Sequence, residues 1–511
     1  MPSMTFTRGR QNSTALPFAI EGHLKTVCIV LSLCAATAIP SAAKTFTVMA
    51  NFTGPNGAYP LSTPVQGRDG NLYGTTFQGG ASAGTIFKIS VGGTLTTLYN
   101  FAGPDGIGPA AGLILATNGN FYGTTEYGGA HGRGTVFRFT PKGTLTTLYS
   151  FCAQANCTDG FNPNRTLVQG RDGNFYGTTW AGRAYGGVSG TGIAGTVFKI
   201  TPAGALTTLY SFCARALCAD GDGPSALVQA TDGSFYGTTL FGGANGQNQN
   251  NAGVVFKITR AGTETTLYNF CSPPNATDGC GPSALIQAAD GDLYGTTQTG
   301  GTNFYSGTVF KITLSGNLTT FNTQPPAPQA ALVQATDGNF YGTGYGSEFK
   351  MTPSGTLTTL HVNSRANGYP IYEALLQATD GNFYGAASQG GLTKPFDGTF
   401  FKLAVGLHPF VQTVPTTSKV GQTIQILGQG LTGTTGVFFQ WIFGKLHRRV
   451  RHVPEGKRSQ RRNFGFCNRR NTWRHSHKQH EVCHCAMIQT SRSRVFFGYE
   501  LDQEGGHLRP T

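Results

Sequence analysis

One octapeptide recurs seven times, and its recurrence limits the possible folds more than any other property of the chain. DGNLYGTT, NGNFYGTT, DGNFYGTT, DGSFYGTT, DGDLYGTT, DGNFYGTG and DGNFYGAA place tyrosines at Tyr73, Tyr122, Tyr176, Tyr236, Tyr294, Tyr341 and Tyr384. Successive tyrosines lie 49, 54, 60, 58, 47 and 43 residues apart. A period of this size, with length variation confined to certain joints, marks a solenoid, a propeller or an array. Each unit reads as four short strands: an apolar segment before the Asp-Gly turn (ALVQAT in the fourth unit), then FYGTT, then GTVFKIT, then TLTTLYSF or a close variant. Alternation with period two and enrichment in Thr, Val, Phe and Tyr favour strands, and no long segment has a helical period. Asp-Gly between apolar runs is a hairpin signal, because the turn needs a positive φ that Gly adopts at no steric cost. Glycine is abundant, 74 of 511 residues, but without a Gly-X-Y period, so collagen is excluded.

Four strands per unit predict a β-propeller blade. The ends of the array predict how the ring closes. The seventh unit stops after GTFFKLAV (398–405) without its fourth strand, and the missing strand appears at 45–52, where TFTVMANF aligns with TLTTLYNF at 94–101. The expected fold is all-β: a seven-bladed propeller over 44–405 whose last blade is completed by the N-terminal strand, which removes exposed sheet edges.

The DGNxYGTT, GTVFKIT and GTLTTLY segments resemble the bacterial GloVer tandem repeat, found in choice-of-anchor exported proteins whose C-terminal attachment modules vary. The resemblance covers about 45–405. It implies a secreted or surface repeat protein, and it carries no catalytic residues with it.

Residues 1–43 read as a secretory signal. Arg8, Arg10 and Lys25 precede the apolar run 26–39, and small residues lead to cleavage after Ala43. The apolar run is too short for a membrane span, and no later stretch is long or apolar enough. Six cysteines fall in close pairs at the same point of three units: Cys152 with Cys157, Cys213 with Cys218, and Cys271 with Cys280. Local bridging is the economical pairing, and an oxidising compartment would permit it.

Antiparallel blades divide the loops between two faces. The first-to-second and third-to-fourth turns share one face and are short and uniform. The second-to-third and blade-to-blade loops share the other, and they hold the length variation, the cysteine pairs and aromatics that differ between units. A rigid scaffold presenting variable loops suits ligand binding, so Phe77, Tyr127, Trp180, Tyr185, Phe241, Tyr305 and Tyr345 are the candidate binding residues, with a glycan or a surface protein as partner. Each could equally pack a loop. Asp69, Asp172, Asp232, Asp290, Asp337 and Asp380 are expected to fix turns, with Asn118 in that place in the second unit. Asp220 and Asp222 could contact calcium but lack the remaining ligands of a calcium loop; no other cofactor or metal is expected. Isolated His131 and His361 have no triad context. The leading expectation is a noncatalytic secreted or cell-surface propeller with a binding or structural role. The competing one is an extracellular carbohydrate-active hydrolase or lyase on the same face, which two carboxylates converging in the central channel would favour.

After 405 the text changes. Segment 407–437 resembles the opening strands of an immunoglobulin-like TIG/IPT domain, so 406–438 reads as a partial domain. From 439 to 511 the chain turns rich in Arg, His, Lys and Trp without any period, as expected of a disordered basic tail. Permitted codons for 438–478, read one base later, give alternating strands with Pro-Ser-Gly and Pro-Gly-Gly turns. A single-base frameshift near Phe439 and Gln440 would therefore account for the change, and would make the cluster His475, His477, His480, Cys483, His484 and Cys485 accidental. The formal charge of +14 belongs mostly to this tail: residues 437–511 hold 15 basic and 5 acidic side chains. It therefore gives no support to a nucleic-acid partner.

Overall fold

The computed structural model describes residues 44–182, 194–246, 252–301, 307–321, 328, 330–369, 373–391 and 397–414, with the backbone of short strands between 418 and 510. The expected signal segment lies outside the described residues. Seven antiparallel sheets follow one another as the blades of a propeller. Blade one consists of Val65–Gln66, Leu72–Thr76, Thr85–Ile89 and Leu95–Asn100. Blades two to six repeat this order. In blade seven the strands Leu376–Gln377, Phe383–Ala387 and Thr399–Ala404 are completed by Thr45–Asn51, which pairs Thr45 with Ala404 and Asn51 with Thr399. The split blade expected from the sequence therefore closes the ring.

The strand expected before each Asp-Gly turn is shorter than its apolar text. In the fourth unit only Val228–Gln229 pairs with the second strand, and blades four and five gain a further short strand, Asp222–Pro224 and Cys280–Pro282, on the same neighbour. The turn itself is a three-residue loop: Gly70 N donates to Gly67 O and Gly67 N to Asn71 O, with Gly70 at φ 81°. Asp69 stays outside the left-handed region and instead accepts from Asn71 N and from the Tyr73 hydroxyl, at 3.1 and 2.9 Å. The Gly of YGTT has a separate cause. A Cβ on Gly74 would lie 2.5 Å from the Phe87 ring on the paired third strand, so a side chain there would displace a core aromatic.

The hydrophobic core lies between blades. Each joint holds its own cluster, such as Tyr122, Val136, Phe151, Leu167, Phe175 and Phe198 between blades two and three. Where the next blade has Phe immediately before its own repeat tyrosine, the repeat tyrosine packs on that ring, as Tyr122 does on Phe175 at 4.0 Å. Burial of each such ring stabilises by roughly 1.5–3 kcal/mol. A second ring of contacts is polar. The first-strand glutamines Gln169, Gln229, Gln287, Gln334 and Gln377 each accept from a backbone N–H of the preceding blade. Gln66 closes the circle by accepting from Thr379 N at 3.0 Å. Blade two has Leu115 in that place, and Arg68 bridges the joint by donating to Thr117 O at 2.7 Å.

Three disulfides join Cys152 to Cys157, Cys213 to Cys218 and Cys271 to Cys280, as the sequence led us to expect. Beyond the propeller, Val411–Val414 pairs antiparallel with Gln425–Gly428, too little to assign an immunoglobulin-like domain. In the tail expected to lack order, the described backbone is four short strands: Ala486–Gln489, Arg494–Phe496, Tyr499–Leu501 and His507–Pro510. Among the described residues no helix is long and apolar enough to cross a membrane.

Candidate functional site

The segment leading into each first strand occupies the variable-loop face. It is anchored there by pairing with residues at or just beyond the end of the second strand of its own blade, as in Ala58 with Gln78, Ile107 with Tyr127 and Phe161 with Ala181. Further along, one residue of each lead-in turns its carbonyl toward the preceding blade, where the first Thr of YGTT donates to it. Thr75, Thr178, Thr238, Thr296 and Thr343 donate in this way to Ala111, Ser225, Ser283, Ala330 and Glu373. The position lies two residues before the buried Leu113, Leu227, Leu285, Leu332 and Leu375. The same register before Leu167 gives Arg165 in blade three, and in blade one Ser62 bonds its own Thr75 as Ser225 bonds Thr238.

Seven equivalent positions thus ring the axis. Five hold buried Ser or Ala; blade three holds Arg165 and blade seven holds Glu373. These blades are separated by three others along one arc and by two along the other, yet the two charges act on each other. Only an opening along the axis brings them together. Both residues are half-buried. Burial lowers the Arg165 pKa, opposed by Glu373 and by Glu126, which follows the second strand of blade two. Burial pushes Glu373 up to about 8, against the pull of Arg165. The Arg165 guanidinium also sits over the Trp180 ring, 5.7 Å from its centroid.

The joint around Arg165 is rich in polar atoms without partners. Arg165 Nε, Asn162 Oδ1, Asn164 Oδ1 and Thr124 Oγ1 are all buried without a hydrogen bond. Thr124 is the one first Thr among blades one to six that leaves its lead-in carbonyl unbonded. Tyr127, 41% exposed, stands beside this group: burial and then Glu126 raise the pKa of its hydroxyl, and Asn162 opposes them. Half-buried ionisable groups and an exposed ring come together at this joint, over polar atoms that are buried without partners, and it is the exposed ring and the half-buried groups that can meet a polar ligand.

The aromatic candidates divide. Tyr127 belongs to the channel mouth. Trp180 backs Arg165 and meets Phe241 edge-on at 6.0 Å, and both rings close over Gly223, so they fill a joint. Phe77 likewise covers Gly108. Tyr345, 51% exposed, meets Tyr369 edge-on in blade six, away from blades two and three. Tyr185 and Tyr305 lie outside the described residues. Asp220 uses its oxygens on the Tyr210 hydroxyl and on Ala214 N and Arg215 N, bracing the disulfide loop, and Asp222 Oδ1 accepts from Ala194 N. Cys213, Cys218 and Asp222 lie together, but both sulfurs are in the disulfide. His361 stacks on Phe46 at 4.0 Å and hydrogen-bonds Asn367, a structural position. Arg165, Glu373 and Glu126 were not singled out from sequence as a group. Aligning the lead-ins GPSAL, NPNRTL and EAL on their leucines would have revealed Arg165 and Glu373 as the two charged exceptions.

The profile of the Gloeobacter/Verrucomicrobia repeat matches residues 37–246, 183–347 and 223–439. No curated protein matches the chain. Among solved structures, a streptogramin B lyase is similar at a TM-score of 0.48 and 16% identity, covering 71% of this chain and 97% of that one. Virginiamycin B lyase from Staphylococcus aureus is similar at 0.47 and 17%, covering 71% and 99%. The extracellular domain of a one-component system from B. thetaiotaomicron is similar at 0.48 and 11%, covering 90% of this chain and 53% of that one. These likenesses are too distant to carry an activity or a ligand to this chain.

Proposed function

Because the chain belongs to the Gloeobacter/Verrucomicrobia repeat family, we propose that it is a noncatalytic, exported or surface-held propeller that binds a glycan or a protein partner at the channel mouth of its variable-loop face. The observation that carries this reading is the pair Arg165 and Glu373, ionisable side chains at two of seven equivalent positions where the other blades need only Ser or Ala. Neither side chain serves the repeat, since five blades close the same joint without one, and burying an ionisable group costs stability that a purely structural position has no reason to bear. The three disulfides support an oxidising compartment outside the cytoplasm.

A specific observation keeps the enzymatic reading in play. Glu126 and Glu373 both act on Arg165, and burial raises Glu373 to about 8, the direction in which a carboxyl becomes able to serve as a general acid near neutral pH. One experiment separates the two. Purified chain is incubated for a day with soluble plant and bacterial polysaccharides while reducing ends and absorbance of unsaturated products near 235 nm are followed, alongside retention of the chain on the same polymers. The expected outcome is retention without product. Product that disappears in Glu373→Gln would replace binding by catalysis.

A further inference from the structure

On the opposite face from the variable loops, we infer that the short uniform turns of blades one to four form a docking surface for an acidic polysaccharide. Every third strand carries one basic residue near its turn end, in register with the repeat tyrosine of its own blade, as Lys88 is with Tyr73 and Lys257 with Tyr236. In blades four to six the turn neutralises that residue. Lys257 pairs with Asp232 at 2.9 Å, Lys311 with Asp290 and Asp292 at 2.9 and 2.7 Å, and Lys350 with Asp337 at 3.2 Å. Among the described residues Lys88, Arg138 and Lys199, all half-buried, enter no ion pair.

Turn sequence accounts for the difference. In blades one and three the residue after Gly is Asn, whose amide donates to the aspartate's second oxygen: Asn71 to Asp69 Oδ2 at 2.7 Å and Asn174 to Asp172 Oδ2 at 2.8 Å. In blade four Ser234 stands in that place, and the same oxygen of Asp232 accepts from Lys257. Blade six admits both donors, with the lysine at the longer distance. Blade two has no carboxylate there, since Asn118 replaces the aspartate and donates to the Tyr122 hydroxyl. Blade seven follows blades one and three, Asn382 donating to Asp380, but the chain leaving the propeller crosses its turn, where Phe410 N donates to Thr379 O at 2.9 Å.

The turns add further cations to the arc of blades one to four. Arg68 spans the joint from blade one to blade two by donating to Thr117 O at 2.7 Å, and Arg171 spans that from blade three to blade four by donating to Ala230 O at 2.8 Å. Lys142 and Arg260, in third-to-fourth turns, are exposed. Over this arc the two turns and the third-strand position hold eight cations against three aspartates, a net +5; over blades five to seven the same positions hold three against four, a net −1. Glu264, which follows the turn of Arg260, is 1% exposed and already held by Arg215. One side of the face therefore suits a partner that brings repeated negative charge.

The rings decide between polyanions. Proteins that grip single-stranded nucleic acid add stacking on aromatic side chains to charge, and Tyr73, Tyr122, Tyr176 and Tyr236 on this arc are at most 3% exposed. A polymer of uronate sugars needs only the cations, and the three disulfides suit an oxidising compartment, away from nucleic acid.

Affinity electrophoresis of the full chain tests the assignment, in gels holding polygalacturonate, alginate, neutral β-glucan or no polymer, with mobility shifts on single- and double-stranded DNA alongside. One variant combines Lys88→Gln, Lys142→Gln and Lys199→Gln. The control combines Lys311→Gln, Lys350→Gln and Lys402→Gln, which removes the same charge from the other arc. The expected result is retardation by an acidic polymer and not by β-glucan, relieved by sodium chloride, and weakened roughly tenfold in the first variant but under about twofold in the control. Lys142→Glu alone, at an exposed turn, should weaken it in the same direction without touching the core. Equal loss in the two triple variants would show that overall charge holds the polymer and would overturn the arc. No retardation by either acidic polymer, or tighter binding of DNA than of both at the same salt, overturns the acidic-polysaccharide class.

Discussion

Glu348 in blade six occupies the position filled by Ile86, Val136, Val197, Val255, Val309 and Phe400 in the other blades, fully buried from solvent. Its neighbour on the outer strand, Asn363, stands where Phe52, Phe101, Phe151, Phe212 and Phe270 are buried, as the shared bond from its backbone N–H to the residue before the third strand attests. Asn363 Nδ2 donates to Glu348 Oε1 at 3.0 Å, while Glu348 Oε2 and Asn363 Oδ1 are buried without partners. A carboxylate and an amide oxygen cannot satisfy each other, but a protonated carboxyl can donate to the amide. Burial accordingly raises Glu348 to about 7, and burial also lowers the pKa of His361, its cross-strand partner. The sign follows directly. A carboxyl whose folded pKa lies above its unfolded value stabilises the fold fully below the ordinary carboxyl pKa, and that contribution is lost as pH rises toward about 7. Glu348→Gln, which mimics the protonated form, should melt like the parent at pH 4 and above it at pH 8, by on the order of 3 kcal/mol at most. Equal melting of the two proteins at pH 8 would show that the carboxyl is not the titrating burden. Reading the chain alone did not bring out this pair, because Glu348 and Asn363 look like ordinary polar residues until the register places them on two core positions.

At the scale of elements, the turns were the most legible part of the chain. Asp, Gly and the following residue state the hairpin locally, so strand order could be read without tertiary information. The first strands were not. ALVQAT reads as a full strand, yet only Val228–Gln229 pairs, and the glutamine side chain instead ties two places together, its oxygen accepting from Arg171 N of the preceding blade and its nitrogen donating to Gly233 O of its own turn. Arg171 lies 58 residues away in sequence. The disulfide loops show local and tertiary restraint acting together. Cys213 and Cys218 close a loop that Asp220 also ties to Tyr210 on the fourth strand and to two backbone N–H groups. A short covalent loop contributes roughly 2 kcal/mol by restricting the unfolded chain, and the aspartate ties remain without it. Replacing both Cys213 and Cys218 by Ser should therefore lower stability by no more than roughly 2 kcal/mol, with the propeller's far-ultraviolet circular dichroism unchanged. Hydrogen exchange should quicken only across 213–221. Loss of the β signal in that variant would mean that the bridge sets the fold instead of stiffening a loop.

For the whole molecule, closure is what creates the site. Arg165 and Glu373 sit at opposite arms of the array, and an open solenoid would hold them apart; the ring places them across one channel. Closure was legible because the last repeat lacks a strand that the first residues supply. The charge pair was not, because no local pattern relates blades three and seven. Two seams lock the ring at the same joint. Outside, Thr45–Asn51 pairs along Thr399–Ala404, with Phe46 stacked on Phe401 at 4.7 Å. Inside, Thr379 N donates to Gln66. Deleting 45–51 would strip the outer seam, exposing the hydrogen-bonding edge of Thr399–Ala404 at a net cost of roughly 0.5–1.5 kcal/mol per lost bond, beyond the lost aromatic burial. The inner glutamine contact alone is too small to offset that. The expected outcome is a variant that melts earlier and over a broader range, elutes larger on size exclusion as the bare edge recruits other chains, and loses whatever binding depends on Arg165 and Glu373 together. A synthetic peptide spanning 45–52, added in trans, should restore the sharp melt and the original elution volume by refilling the edge. If the deletion melts as the parent does, the N-terminal strand does not close the ring, and the meeting of Arg165 with Glu373 needs another cause.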